Sequence, residues 1–132
     1  MKYKNILQID DDSEDCEFFE ETLKTISDAT YTCMQNPVEA LHKLTNEEIK
    51  PDLIFLDINM PLMSGPELLT EIKKRKKLKD IPVFLLSTAS FYTEKNEKLF
   101  GAKGYLIKPN TFSDFKKLLT GILELPMGYN LF

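Results

Sequence analysis

With 132 residues, 42% of them hydrophobic and 29% charged, the chain has the make-up of one soluble globular domain with a real core. A second domain of ordinary size does not fit, and no apolar run approaches the length that spans a bilayer. The formal net charge of −4 argues against nucleic acid as a direct partner, but its spread is uneven: eight acidic residues and no basic one lie from Asp10 to Glu21, and six basic residues from Lys73 to Lys79.

The N-terminal stretch leads into only Ile6 and Leu7 before polar Gln8, unlike a signal peptide, which predicts a cytoplasmic protein. Tyr3 to Ile9 is predicted as a first strand, ending at Asp10-Asp11-Asp12 with Ser13 as the cap of a helix. Cys16, Phe19, Leu23 and Ile26 recur at spacings of three and four and give that helix one buried face. Glu14, Asp15 and Glu17 fall in its first turn, where the helix dipole favours negative charge. Ala29 to Met34 is a short second strand, and Asn36-Pro37 opens a second helix with Val38, Leu41 and Leu44 as its apolar side. Cys16 and Cys33 have neither metal-ligand spacing nor a disulfide framework, and both are expected as buried small apolar residues. His42 has no evident catalytic partner and is expected at the surface.

Lys50-Pro51-Asp52 breaks the chain before Leu53-Ile54-Phe55-Leu56, four large apolar residues that fit a strand buried on both faces of a parallel sheet. The run stops at Asp57, with Asn59 and Pro61 close behind. An Asp there either begins a turn or stands at the sheet edge where open α/β folds bind ligands. A third helix follows Met63-Ser64-Gly65-Pro66, with Leu68, Leu69 and Ile72 buried and the basic run at its C-terminal end. A solvated helix end explains that run better than a nucleic-acid patch does. Ile81 to Leu86 is a fourth strand, ending in Ser87-Thr88-Ala89-Ser90. A weakly amphipathic helix over Thr93 to Phe100, a fifth strand Tyr105-Leu106-Ile107 ending at Lys108-Pro109, and a last helix marked by Phe112, Phe115, Leu119 and Ile122 complete the order. The tail from Leu125 to Phe132 either packs on the domain or mediates self-association.

Alternating buried strands and amphipathic helices predict a parallel sheet covered on both faces, in which all strand C-termini share one edge. That edge collects Asp10, Asp11, Asp57, Ser87 and Lys108. Clustered carboxylates repel unless a cation holds them, and oxygen donors of this kind suit Mg²⁺. With Lys108 as a second cation and the Ser87 hydroxyl, the set could grip a phosphoryl group while Asp57 attacks it, giving an aspartyl phosphate. No Gly-rich phosphate loop follows the first strand, which points to another protein or a small acyl phosphate as donor.

Four segments carry a resemblance: Ile9-Asp10-Asp11-Asp12, Phe55 to Pro61, Leu86-Ser87-Thr88, and Gly104-Tyr105-Leu106-Ile107-Lys108-Pro109. In this order and spacing the chain resembles a bacterial response-regulator receiver domain of the chemotaxis Y type over nearly its whole length. The resemblance implies a flavodoxin-like (βα)5 fold, a doubly wound five-stranded parallel sheet of strand order 2-1-3-4-5, with residues 1–132 as one receiver domain, 125–132 as a tail and no effector domain. It makes Asp57 the phosphoacceptor, served by a sensor histidine kinase or a histidine phosphotransfer protein. It also implies Mg²⁺, with Mn²⁺ or Ca²⁺ as substitutes, bound by Asp11, Asp57 and the Asn59 backbone carbonyl, and by Asp10 through water. Lys108 would contact the phosphoryl oxygens across a Lys-Pro peptide that is usually cis in the family. Ser87 and Tyr105 would be the switch residues.

Such a protein is a signalling phosphoacceptor rather than an enzyme, though it catalyses its own phosphorylation and dephosphorylation in part. It has no membrane contact, is a monomer or weak homodimer, and meets its downstream target at the face of the fourth helix, fifth strand and fifth helix. Asn110 and the aromatic pair Phe91-Tyr92 depart from the family pattern on that face, and Phe91 and Tyr92 are expected either to bind a partner or to pack locally. Three other readings are weaker. An Asp-nucleophile phosphatase wants a second acid where Asn59 stands, and a flavin carrier is opposed by the acidic first loop. A scaffold that is never phosphorylated would have no use for the complete acid, hydroxyl and lysine set.

Overall fold

The computed structural model describes residues 3–88 and 101–126. Within them the chain runs β1 (Asn5–Ile9), α1 (Ser13–Lys24), β2 (Thr30–Met34), α2 (Pro37–Thr45), β3 (Leu53–Asp57), α3 (Gly65–Lys73), β4 (Val83–Ser87), β5 (Gly104–Ile107) and α4 (Phe112–Glu124). The strands form one parallel sheet in the order β2-β1-β3-β4-β5, as expected. The helix expected over Thr93 to Phe100, the pair Phe91-Tyr92 and the tail beyond Pro126 lie outside the described residues.

The sheet separates two cores, and the two-residue period of a strand decides which side chain joins which. On one side Ile6, Leu53, Phe55, Phe84, Leu86 and Leu106 meet Phe19 and Leu23 of α1 and Phe115, Leu119 and Ile122 of α4. On the other, Leu7, Ile9, Ile54, Leu56, Val83 and Leu85 meet Ala40 and Leu44 of α2 and Leu68, Leu69 and Ile72 of α3. Leu53 to Leu56 are all fully buried because alternate residues of this central strand enter opposite cores. The apolar run in the sequence is therefore two interleaved faces. Phe19 rests edge-on to both Phe55 and Phe115, with ring centroids 4.9 and 5.6 Å away, fixing α1 against the sheet and α4.

Helix starts follow their caps. Asn36 accepts from Val38 and Glu39 ahead of Pro37, and Ser64 forms a reciprocal capping box with Glu67. At α1 the cap is Asp12, whose side chain accepts from Glu14 and Asp15, rather than the expected Ser13. β4 begins at Val83, two residues later than expected. Its partner contact at Pro82 is made through the carbonyl, accepting from Ile54 N–H at 3.0 Å, since proline has no N–H to give. The cysteine expectation is corrected outright: Cys16 and Cys33 are joined as a disulfide, with Cα atoms 6.4 Å apart. Cys33 stands two residues beyond Tyr31 on β2 and so projects to the α1 side of the sheet, where Cys16 faces inward. His42 is exposed, as expected, with Glu48 4.0 Å away.

One glycine is set by close approach. Gly65 N–H donates to the Ile58 carbonyl at 2.8 Å, folding the β3–α3 loop back on the end of β3. A Cβ at this position would overlap the Asp57 carbonyl oxygen and lie 2.9 Å from Ile58 Cα, both backbone atoms that cannot swing away. Gly65→Ala is expected to lower the urea midpoint by an amount equivalent to about 1–3 kcal/mol, the usual cost of overpacking. Gly121→Ala, at a helical position with open space around it, should leave the midpoint level or raised.

Candidate functional site

Asp10, Asp57 and Lys108 reach the site through the same periodicity that builds the core. Gln8, Phe55 and Leu106 point to the α1/α4 side of the sheet, and two residues further on each strand direction delivers Asp10, Asp57 and Lys108 to that side. There the Lys108 ammonium donates to Asp10 Oδ2 at 2.7 Å, to Asp15 Oδ2 at 2.9 Å and to Asp57 Oδ1 at 3.4 Å. The last distance is at the long end for a hydrogen bond, so the attraction to Asp57 is mostly coulombic. The Asp10 side chain is 1% exposed, Lys108 10% and Asp57 12%.

The three consecutive aspartates separate cleanly. Asp12 is used as the α1 cap. Asp10 turns inward, accepts from Asp12 N–H at 3.0 Å and lies 3.5 Å from Gln8 Nε2. Asp11 is exposed, yet Asp10, Asp11 and Asp57 each offer a carboxylate oxygen, and these oxygens lie within 4.8 Å of one another. The donors are all hard oxygens, with no thiolate or imidazole among them, the set that suits Mg²⁺ or Mn²⁺. Asn59, expected to add its backbone carbonyl, stands exposed two residues after Asp57.

The electrostatics follow from crowding acids in a half-dry pocket. Burial, and then the charge of Asp10, raises the Asp57 carboxyl to about 6, against the pull of Lys108. Asp10 is raised chiefly by burial, which outweighs its hydrogen bonds from Lys108 and Asp12. Burial works to lower Lys108, but the hydrogen bonds to Asp10 and Asp15 and the charges of Asp10 and Asp57 overcome it, and the ammonium is held firmly protonated. A polar chain runs behind Asp10: the Tyr31 hydroxyl sits 2.6 Å from Gln8 Oε1 and 3.1 Å from the Cys16 carbonyl.

Ser87 is 1% exposed at the end of β4 and, with Tyr105 of β5, belongs to the α2/α3 side of the sheet. The Lys108–Pro109 peptide is trans rather than cis, the intrinsically preferred isomer, and no described peptide bond is cis. Two contributors were not foreseen. Gln8 is a buried polar residue within an otherwise apolar strand. Asp15 precedes Phe18 and Phe19 by three and four residues, a spacing that sets it on the inward stripe of α1 instead of its solvated side.

Comparison with known proteins agrees with this geometry. The model of the response regulator receiver domain family matches residues 6–120. The two-component response regulator ARR17 of Arabidopsis thaliana is 35% identical over 132 residues, covering 91% of this chain and 85% of its own. The response regulator TrrA of Thermotoga maritima, solved in complex with Mg²⁺ and BeF, superimposes with a TM-score of 0.74 at 32% identity, over 90% of this chain and 98% of its own. The Mn²⁺-bound response regulator Rcp1 does so with a TM-score of 0.79 at 30% identity, over 95% of each chain. With the family model spanning most of its length and the five-stranded order 2-1-3-4-5 in place, the chain belongs to the response regulator receiver domain family.

Proposed function

We propose that Asp57 accepts a phosphoryl group from a histidine kinase or histidine phosphotransfer protein, and that the phosphorylated domain signals through protein contacts rather than as an enzyme. The observation that carries this reading is the convergence of the Asp10, Asp11 and Asp57 oxygens within 4.8 Å of one another, with Asp10 and Asp57 paired to the Lys108 ammonium. A carboxylate oxygen of Asp57 forms the bond to phosphorus while the phosphorus–nitrogen bond of phosphohistidine breaks, and the leaving imidazole keeps the electron pair. A small acyl phosphate would serve equally, losing its carboxylate.

Asp10, Asp11 and Asp57, with the Asn59 carbonyl, are the residues that would hold Mg²⁺, with Mn²⁺ or Ca²⁺ as substitutes. The Mn²⁺ of Rcp1 and the Mg²⁺ of the TrrA complex support a divalent cation here. When bound, the cation would neutralise charge on the carboxylates and on the transferring group. Lys108 meets the phosphoryl oxygens from the other side, and the buried position of Asp10 keeps Lys108 oriented. Ser87 and Tyr105 act as the responding pair, biasing a two-state equilibrium toward the signalling form. The exposed apolar side chains of Ile107 on β5 and Phe112 at the start of α4 support an output surface on that side.

Incubation with acetyl phosphate and Mg²⁺ should add one phosphoryl group to the wild-type mass. Chelator, or Asp57→Ala, should abolish the addition. An adduct of undiminished yield on Asp57→Ala would move the acceptor elsewhere.

A second expectation concerns stability in chelator. The Asp57 carboxyl titrates at about 6 in the folded protein, whereas an unfolded aspartate titrates near ~4. Between these values the native state holds a proton that the unfolded chain has lost. This contribution to stability is complete below about pH 4 and disappears as the pH climbs through the folded value. Asp57→Asn should therefore be more stable than wild type by roughly 2–3 kcal/mol near pH 7.5 without metal, and the difference should close toward pH 4. Saturating Mg²⁺ should shrink the difference by stabilising the wild type. Denaturant curves at the two pH values decide the matter; equal stabilities in chelator at both would show that ionised Asp57 is not under electrostatic stress.

A further inference from the structure

We propose that Asp15 is a positioning residue that holds the Lys108 ammonium on the α1 side of the acidic pocket until Asp57 is phosphorylated. This rests on the reading of Asp57 as the acceptor. An ammonium has three N–H donors, and here all three have partners: Asp10 at 2.7 Å, Asp15 at 2.9 Å and Asp57 at 3.4 Å. The acceptor carboxylate has the longest of the three contacts, and Asp15 stands closer to the cation than Asp57 does. Asp15 is thus a direct competitor for the charge that a phosphoryl group would need.

Exposure decides which partner yields. The Asp10 side chain is 1% exposed, so a lost ammonium would leave its charge desolvated, whereas Asp15 is 34% exposed. A cavity of about 100 Å³ beside it, lined by Phe18, Lys108, Asn110 and Phe115, has room for water to solvate the carboxylate once Lys108 leaves. The pair also joins the first turn of α1 to the chain entering α4, so its opening loosens a contact between two elements as well as freeing a charge. Asp15 sets how readily the resting site surrenders its lysine.

The test uses beryllofluoride as the phosphoryl mimic at saturating Mg²⁺. Its affinity is measured for wild type, Asp15→Asn, Lys108→Ala and the double variant, with urea midpoints recorded for each. Asp15→Asn should bind about fivefold tighter than wild type, the scale of a partly exposed ion pair. The gain should vanish when Lys108 is absent, because there is then no cation to release. Unchanged or weaker binding by folded Asp15→Asn overturns the proposal. So does an equal gain with and without Lys108, which would mark a plain field effect of one negative charge. Should Lys108→Ala not fold, the ammonium proton resonance of Lys108 in metal-free protein replaces the cycle. It should shift more on Asp15→Asn than that of any other lysine, and no such shift overturns the assignment. Failure of the wild type itself to bind beryllofluoride would overturn the Asp57 reading together with this one, whereas binding that is indifferent to Asp15 overturns this one alone.

Discussion

One ammonium group set among carboxylates governs this molecule. Lys108 lies at the end of β5, with only a tenth of its side chain exposed, and touches Asp10 after β1, Asp15 from α1 and Asp57 from β3. Each of those acids alone could be tolerated at a sheet edge; together they repel, and the pocket exists because a cation was built into it. The balance is incomplete, since Asp11 adds a fourth carboxylate against the one ammonium. Burial, and after it the charge of Asp10, displaces the Asp57 carboxyl upward to about 6 despite the lysine beside it. With more carboxylates than ammonium groups, the pocket offers a set of hard oxygen donors that could hold a divalent cation.

The fold supplies this arrangement without any special loop. In a parallel sheet every strand ends at the same edge, and every second residue faces the same side. The residues that fill the core between the sheet and the α1/α4 pair are followed, two positions later, by the residues of the site. Packing and chemistry therefore share one register. A slip by a single residue in β1, β3 or β5 would empty one core and scatter the carboxylates at once. Local devices refine the placement: Asp12 closes the start of α1 and so fixes Asp15, and Gly65 lets the loop after β3 fold back onto the backbone of Asp57.

The two-sided burial of Leu53 to Leu56 and the gathering of Asp10, Asp11, Asp57 and Lys108 were legible in the sequence, because each follows from periodicity and the geometry of a parallel sheet; the strand order came only from the resemblance to receiver domains. The misses have physical reasons too. Asp15 was assigned to the helix dipole, an adequate cause for an acid in a first turn, although its spacing from Phe18 and Phe19 already set it on the inward stripe. Asp12 displaced Ser13 as cap because either side chain can accept those amides, and sequence alone does not rank them. The Cys16–Cys33 pairing depends on how an edge strand lies against a helix, which no cysteine spacing encodes. The isomer of Lys108–Pro109 was expected from the family, and the trans form in the structure departs from that expectation.

The sheet also divides the residues of the site between its two sides. Asp10, Asp57 and Lys108 project toward α1 and α4, whereas Ser87 and Tyr105 belong to the side of α2 and α3. The ladder joins the two sides: the backbone N–H of Lys108 donates to the Ser87 carbonyl at 2.8 Å, so the cation and the hydroxyl residue are neighbouring rungs of β4 and β5. The central strand, buried on both faces, holds Asp57 in register, while β5 pairs on one side only and carries Lys108 at the edge of the sheet.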